Sequence, residues 1–156
     1  MKSPSPRVAR KARHRILILD DHPIMRQGLA QLLAHEPDLQ VCGEANEARE
    51  ALDKIHKCMP DLLLADISLP DRSGLELIKD LQLQCPELKI LVLSMHDESL
   101  YAERALRAGA KGYIMKREST KNVIDATRRI LEGKLYISNA VAEAITLRSI
   151  KGRMAT

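Results

Sequence analysis

Residues 16–29 read Ile16-Leu17-Ile18-Leu19-Asp20-Asp21-His22-Pro23-Ile24-Met25-Arg26-Gln27-Gly28-Leu29. Four consecutive branched apolar residues describe a strand buried on both faces. Two acids stop it, and Pro23 suits the first turn of a helix, where a missing N–H costs nothing. From there Ile24, Gly28, Leu29, Leu32 and Leu33 fall at helical spacing. The stretch is therefore one strand handed to one helix through an acidic turn. Outward from it the pattern recurs: Leu39–Cys42, Leu62–Ala65, Ile90–Leu93 and Tyr113–Met115 are further short apolar runs. The starts of the runs are separated by 23, 23, 28 and 23 residues. Between them lie Ala48, Leu52 and Ile55; Leu75, Ile78 and Leu81; Tyr101, Ala105 and Ala108; and Val123, Ile124, Thr127, Ile130 and Leu131, all at helical spacing. Pro37, Pro60 and Pro86 punctuate the approaches to runs two, three and four, and Gly109 is placed to stop the fourth helix. No leucine-rich or ankyrin consensus repeats with this period.

Five strands alternating with five helices, (βα)5, predict an α/β fold with a parallel sheet covered on both sides. The second run differs, because Leu39, Val41 and Gly43 alternate with Gln40, Cys42 and Glu44, as on a half-buried edge strand. Right-handed crossovers favour a doubly wound sheet. The order 2-1-3-4-5, the flavodoxin-like arrangement, puts that half-polar strand at an edge.

Composition narrows the function classes. The 156 residues carry a net charge of +4, but it is unevenly spread. Residues 1–15 hold six basic residues and no acid, residues 16–115 are −7, and residues 116–156 are +5. The central block is acidic, so the overall sign is no signature of nucleic-acid binding. Aromatic residues are 2% of the chain, with neither Trp nor Phe, which disfavours recognition by base stacking. Cys42, Cys58 and Cys85 are odd in number and lack CxxC spacing, so neither a disulfide framework nor a zinc site is expected, and a reducing cytoplasm is. No apolar stretch approaches the ~20 residues of a membrane helix. The basic stretch 1–13 is expected to be a disordered tail.

In open parallel sheets the functional crevice lies outside the carboxyl ends of the strands. Strand one ends in Asp20-Asp21, strand three in Asp66, strand four in Ser94 and strand five in Lys116. One rim thus collects three carboxylates, a hydroxyl and an ammonium. Clustered carboxylates repel, and a divalent cation relieves the repulsion. All-oxygen ligands favour a hard ion such as Mg²⁺. A carboxylate left free can attack phosphorus and form an acyl phosphate. Lys116 and Ser94 are the groups available to hold the transferring phosphoryl oxygens. His22 and His96 flank the rim, where a metal role competes with a reading as loop side chains near the site.

These residues carry a resemblance. The chain is similar to the receiver domains of bacterial two-component response regulators, the CheY-like proteins, over about residues 14–134. Asp20-Asp21 matches the acidic pair, Asp66 the phosphoacceptor, Ser94 the hydroxyl residue and Lys116 the lysine. Tyr113 matches the switch aromatic, and Pro70 and Gly74 match the loop after the acceptor. The resemblance implies phosphotransfer from a histidine kinase to Asp66 with Mg²⁺. It implies a metal held by Asp21, Asp66 and the backbone carbonyl of Ser68, with Asp20 acting through water. It implies that Ser94 and Lys116 bind the phosphoryl group, and that Tyr113 turns inward when Ser94 moves. Such a protein is a phosphorylated switch rather than an enzyme.

Asp20-Asp-His-Pro-Ile-Met-Arg-Gln-Gly-Leu29 and Ala108-Gly-Ala-Lys-Gly-Tyr-Ile-Met-Lys116 resemble the NarL/FixJ (LuxR-type) transcriptional regulators. Arg117 stands where most receivers have a proline. The resemblance implies homodimerisation on phosphorylation and DNA contact through a C-terminal helix-turn-helix, for which the 22 residues after Lys134 leave no room. Residues 135–156 are expected to be a linker and partial connecting helix, capped by Ser138 or Asn139. Two alternatives stand beside this expectation. One is a stand-alone phosphorelay receiver. The other is an aspartate-nucleophile phosphatase, which usually carries a second acid where Ser68 sits.

Overall fold

The computed structural model of the chain describes residues 13–66, 73–94, 99–116 and 120–155. Strands β1 (His14–Leu19), β2 (Leu39–Ala45), β3 (Leu62–Asp66), β4 (Lys89–Ser94) and β5 (Gly112–Met115) alternate with helices. The helices are α1 (Pro23–Ala34), α2 (Ala48–Cys58), α3 (Gly74–Gln84), α4 (Ser99–Ala108) and α5 (Thr120–Leu131). A short β6 (Tyr136–Ile137) and α6 (Asn139–Ala155) follow. The sheet runs β2-β1-β3-β4-β5-β6, with every neighbouring pair parallel.

The expected order 2-1-3-4-5 is present, and β6 extends it by one strand. Tyr136 and Ile137, expected to lie in a linker, pair with Gly112 and Tyr113. The pairing gives partners to polar backbone groups that the β5 edge would otherwise leave exposed. Gly112 is what permits it: a Cβ there would lie 2.8 Å from the Tyr136 carbonyl oxygen and 2.7 Å from Ile130.

Successive side chains of a strand face opposite sides, and the two cores sort accordingly. Leu17, Leu19, Leu63, Ile90, Val92 and Tyr113 pack under α2, α3 and α4, with Ala51, Ile55, Leu77, Leu81, Ala102 and Ala105 opposite them. Ile16, Ile18, Leu62, Leu64, Leu91 and Ile114 pack on the other side, against Leu29 and Leu33 of α1 and Val123, Ala126 and Ile130 of α5. Each fully buried Leu or Ile contributes roughly 1.5–3 kcal/mol of transfer free energy. The β2 strand is half-buried over its middle five residues, as its alternation predicts. Its register slips by one residue opposite Ile16 and Leu17, leaving Cys42 as the extra residue of a bulge. Cys42 and Cys85 pack against the core, and the three described cysteines are free thiols. Burial pushes the Cys42 thiol up to about 11, so it is a packing group rather than a nucleophile.

Helix ends follow local rules. Gly109 has φ +128°, a conformation that a side chain resists, and it stops α4 as its position predicts. Met59 caps α2 with φ 49°, the left-handed region, although it bears a Cβ and is 76% exposed. Such a residue costs about 1–2 kcal/mol, part of which glycine returns as lost chain entropy. Met59→Gly is expected to stabilise the fold by about 0.5–1 kcal/mol. An upward shift of the urea midpoint at unchanged slope would show it.

The C-terminal helix is docked. Ser138 Oγ accepts a hydrogen bond from the Val141 N–H at 3.3 Å and caps α6. Val141 is buried, Ile137 and Ile145 pack on the layer that contains α4, and Arg148 donates to Glu103 of α4 at 3.0 Å. Among the described residues no helix is long and apolar enough to cross a membrane.

Candidate functional site

The carboxyl ends of β1, β3, β4 and β5 meet on one rim. Asp20 follows β1 directly, and its N–H donates to the Ala45 carbonyl at the end of β2 (3.0 Å). Its carbonyl accepts from Arg26 Nη1 at 2.7 Å, and Arg26 Nε lies 3.3 Å from Glu44. Asp20 is therefore held from both sides of its backbone. Asp66 is the last residue of β3, in register with Leu93 of β4, and is 2% exposed. Ser94 ends β4 and is fully buried. The Lys116 N–H donates to the Ser94 carbonyl at 2.7 Å, so the hydroxyl residue and the lysine are joined through the backbone.

Lys116 Nζ lies 2.9 Å from Asp66 Oδ2 and 2.9 Å from Asp20 Oδ2. All three side chains are at most 2% exposed. Burial alone would lower the Lys116 pKa; hydrogen bonds to Asp66 and Asp20 outweigh it and raise the ammonium above its ordinary value. Burial would likewise raise Asp20. Donors from Lys116 and from the backbone and ring of His22 outweigh it and hold this carboxyl below the usual range.

Three carboxylates face one ammonium here, so these four groups sum to −2. Asp21 Oδ1 is shielded from water, yet no described group gives it a hydrogen bond. An oxygen-rich, under-neutralised cluster with such an oxygen fits a divalent cation. Ligand atoms of Asp20, Asp21, His22 and Asp66 all lie within 4.8 Å of one another.

The structure brings together Asp20, Asp21, Asp66 and Lys116, with Ser94 on the same rim. Tyr113 is 1% exposed, its ring buried in the layer under α4. Ser68, Pro70, His96 and Arg117 lie outside the described residues. One residue, Arg26, enters the site unforeseen. His22, for which the sequence leaves open both a metal role and a loop side chain, places Nδ1 2.9 Å from Asp20 Oδ1, 3.1 Å from Asp21 Oδ1 and 3.5 Å from Asp66 Oδ2. Arg26 reaches back one helical turn under Asp20. His22 is marked in the sequence by its place directly after the acidic pair, whereas Arg26, on α1, carries no local signal. Beside the rim, a groove of about 520 Å³ is lined by His22, Ile24, Met25, Gly28, Leu32 and Lys116. Ile24 stands 86% exposed at its edge.

Residues 16–128 match the family described as the response regulator receiver domain. The chain is 36% identical over 122 residues to the transcriptional regulatory protein DegU of Brevibacillus brevis, covering 78% of this chain and 52% of that protein. It is 41% identical over 128 residues to the transcriptional regulatory protein UhpA of Salmonella typhimurium, covering 81% and 63%. The chain thus spans about half to two-thirds of the length of such curated relatives. A crystal structure of a LuxR-family two-component response regulator from Aurantimonas superposes with a TM-score of 0.84 at 32% identity, covering 88% of this chain and 99% of that one. The signal receiver domain of a response regulator NarL from Mycobacterium tuberculosis gives 0.74 at 28% identity, covering 78% and 98%.

Proposed function

Since the chain belongs to the response regulator receiver domain family, we propose that Asp66 is the residue it phosphorylates, with Mg²⁺ bound by its neighbours. The chain is a phosphoacceptor receiver domain of a bacterial two-component response regulator, a phosphorylatable switch rather than a true enzyme. The observation that carries the assignment to Asp66 is the Lys116 ammonium, 2.9 Å from Asp66 Oδ2 on a buried rim.

The step is a displacement at phosphorus. An Asp66 carboxylate oxygen forms the new P–O bond as the P–N bond of a phosphohistidine breaks, and the electron pair leaves with the imidazole. Lys116, already 2.9 Å from the nucleophile, would pair with a phosphoryl oxygen, and the Ser94 hydroxyl would donate to another. Asp21 and Asp66, with the backbone carbonyl of Ser68 and with Asp20 acting through water as the resemblance implies, would hold Mg²⁺, which would supply positive charge to the phosphoryl oxygens. The donor would be a sensor histidine kinase, as membership of the family implies. Phosphorylation would promote homodimerisation and act on a DNA-binding output domain of the parent regulator, since two relatives are named transcriptional regulatory proteins. The chain would work in the cytoplasm.

Intact mass after incubation with acetyl phosphate tests the chemistry. The expected result is a gain of one phosphoryl group with Mg²⁺, no gain with a chelator, and loss of the group in hydroxylamine, which cleaves acyl phosphates. A gain that survives hydroxylamine would place the phosphate on a hydroxyl and overturn the proposal.

A further inference from the structure

We propose that His22 is itself a metal ligand, so that the rim offers a nitrogen together with its carboxylate oxygens. The inference rests on the proposed metal site and extends it to a residue that changes which ions are preferred.

Three observations carry it. First, the spacing is that of one coordination sphere. In an octahedral ion with ligands at about 2.0–2.1 Å, adjacent ligand atoms lie about 3 Å apart. His22 Nδ1 is 3.1 Å from Asp21 Oδ1 and 3.5 Å from Asp66 Oδ2, the two carboxylates proposed to hold the metal, and its ring is steered there by a 2.9 Å hydrogen-bond contact with Asp20 Oδ1. Second, the backbone sets the ring's position. The His22 N–H donates to Asp20 Oδ1 at 2.9 Å, the residue is extended at φ −97°, and Pro23 fixes the first helical turn after it. The imidazole is aimed at the rim by its place at the start of α1. Third, Asp21 Oδ1 is buried without a hydrogen bond, and the side chain of Asp20 is 1% exposed. These oxygens need a cation that Lys116 alone does not supply.

The consequence is selectivity. Carboxylate sites suit Mg²⁺ and Mn²⁺ alike, whereas imidazole favours transition metals over Mg²⁺. A nitrogen ligand therefore widens the gap between Mn²⁺ or Co²⁺ and Mg²⁺.

Mn²⁺ is the probe, because pulsed electron paramagnetic resonance detects a directly bound ¹⁴N nucleus. The expected result is one equivalent of Mn²⁺ per chain with a histidine-type ¹⁴N coupling, and loss of that coupling in His22→Phe while Mn²⁺ still binds. Calorimetry would show the Mn²⁺-to-Mg²⁺ affinity ratio falling by about tenfold or more in His22→Phe, comparable to losing a ligand's supporting contacts. One equivalent of Mn²⁺ bound without nitrogen coupling, or a coupling unchanged in His22→Phe, overturns the role of His22 and leaves the carboxylate site standing. No stoichiometric Mn²⁺ binding overturns the metal site and this inference together. His22 is more than half exposed, so the phenyl ring fits without disturbing the core.

Discussion

Asp66→Asn takes up no phosphoryl group from acetyl phosphate under conditions in which the unaltered chain is fully labelled. The substitution is nearly isosteric, and Lys116 retains Asp20 at 2.9 Å, so the rim keeps its shape. What is lost is chemistry. A carboxylate brings negative charge to phosphorus and forms an acyl phosphate, whereas an amide oxygen is a far weaker nucleophile. Asp21→Asn should behave differently, keeping the nucleophile but losing Mg²⁺ dependence and rate. Intact mass, followed by location of the phosphate in proteolytic peptides, separates the two. Labelling of the Asp66→Asn variant to the same extent as the parent would remove Asp66 from its proposed role.

Lys116→Met should bring the largest loss of stability of any single change at the rim. Lys116 is the ammonium between two carboxylates whose side chains are 1% exposed. Removing one partner of a buried ion pair strands the other charge and costs about 3–5 kcal/mol. The pH dependence gives the signature. In the parent, Asp20 titrates below its ordinary 3.8, so its contribution is present above that pH and is lost as pH falls through the folded value. Lys116 titrates above 10.5, so its contribution is present below that pH and is lost as pH rises through the folded value. Between these limits the pair leaves stability flat. In Lys116→Met the burial of Asp20 is no longer opposed by the ammonium, its pKa rises, and stability should increase as neutral pH is lowered. Urea midpoints at mildly acid and mildly alkaline pH would show the reversed slope. Mg²⁺ should recover more stability in the variant than in the parent.

The main lines of the fold are legible because continuous apolar runs such as Ile16–Leu19 have one economical use, a strand buried on both faces. The rim is legible because a polar residue at the end of such a run has one place to go. What is not legible depends on tertiary encounter. Tyr136 and Ile137 form a strand only because Gly112, far off in sequence, leaves room for their backbone. A two-residue strand has no period of its own to read. His22 is legible as a rim histidine, but the direction of its ring is set only by the Asp20–His22 turn. Arg26 sits on α1 at an ordinary surface spacing, and nothing local says that its guanidinium will reach back to the Asp20 carbonyl.

The docking of α6 has a mechanical consequence. Seventeen helical residues span about 25 Å at 1.5 Å per residue, and they are fastened at one end by Val141 and part-way along by the Arg148–Glu103 pair. Such a helix is a lever arm rather than a leash. Rotation of α4 by about ten degrees would carry the far end of α6 through about 4 Å over that length. A flexible tether of the same residue count would average such a motion away, whereas the docked arm would carry it to its far end.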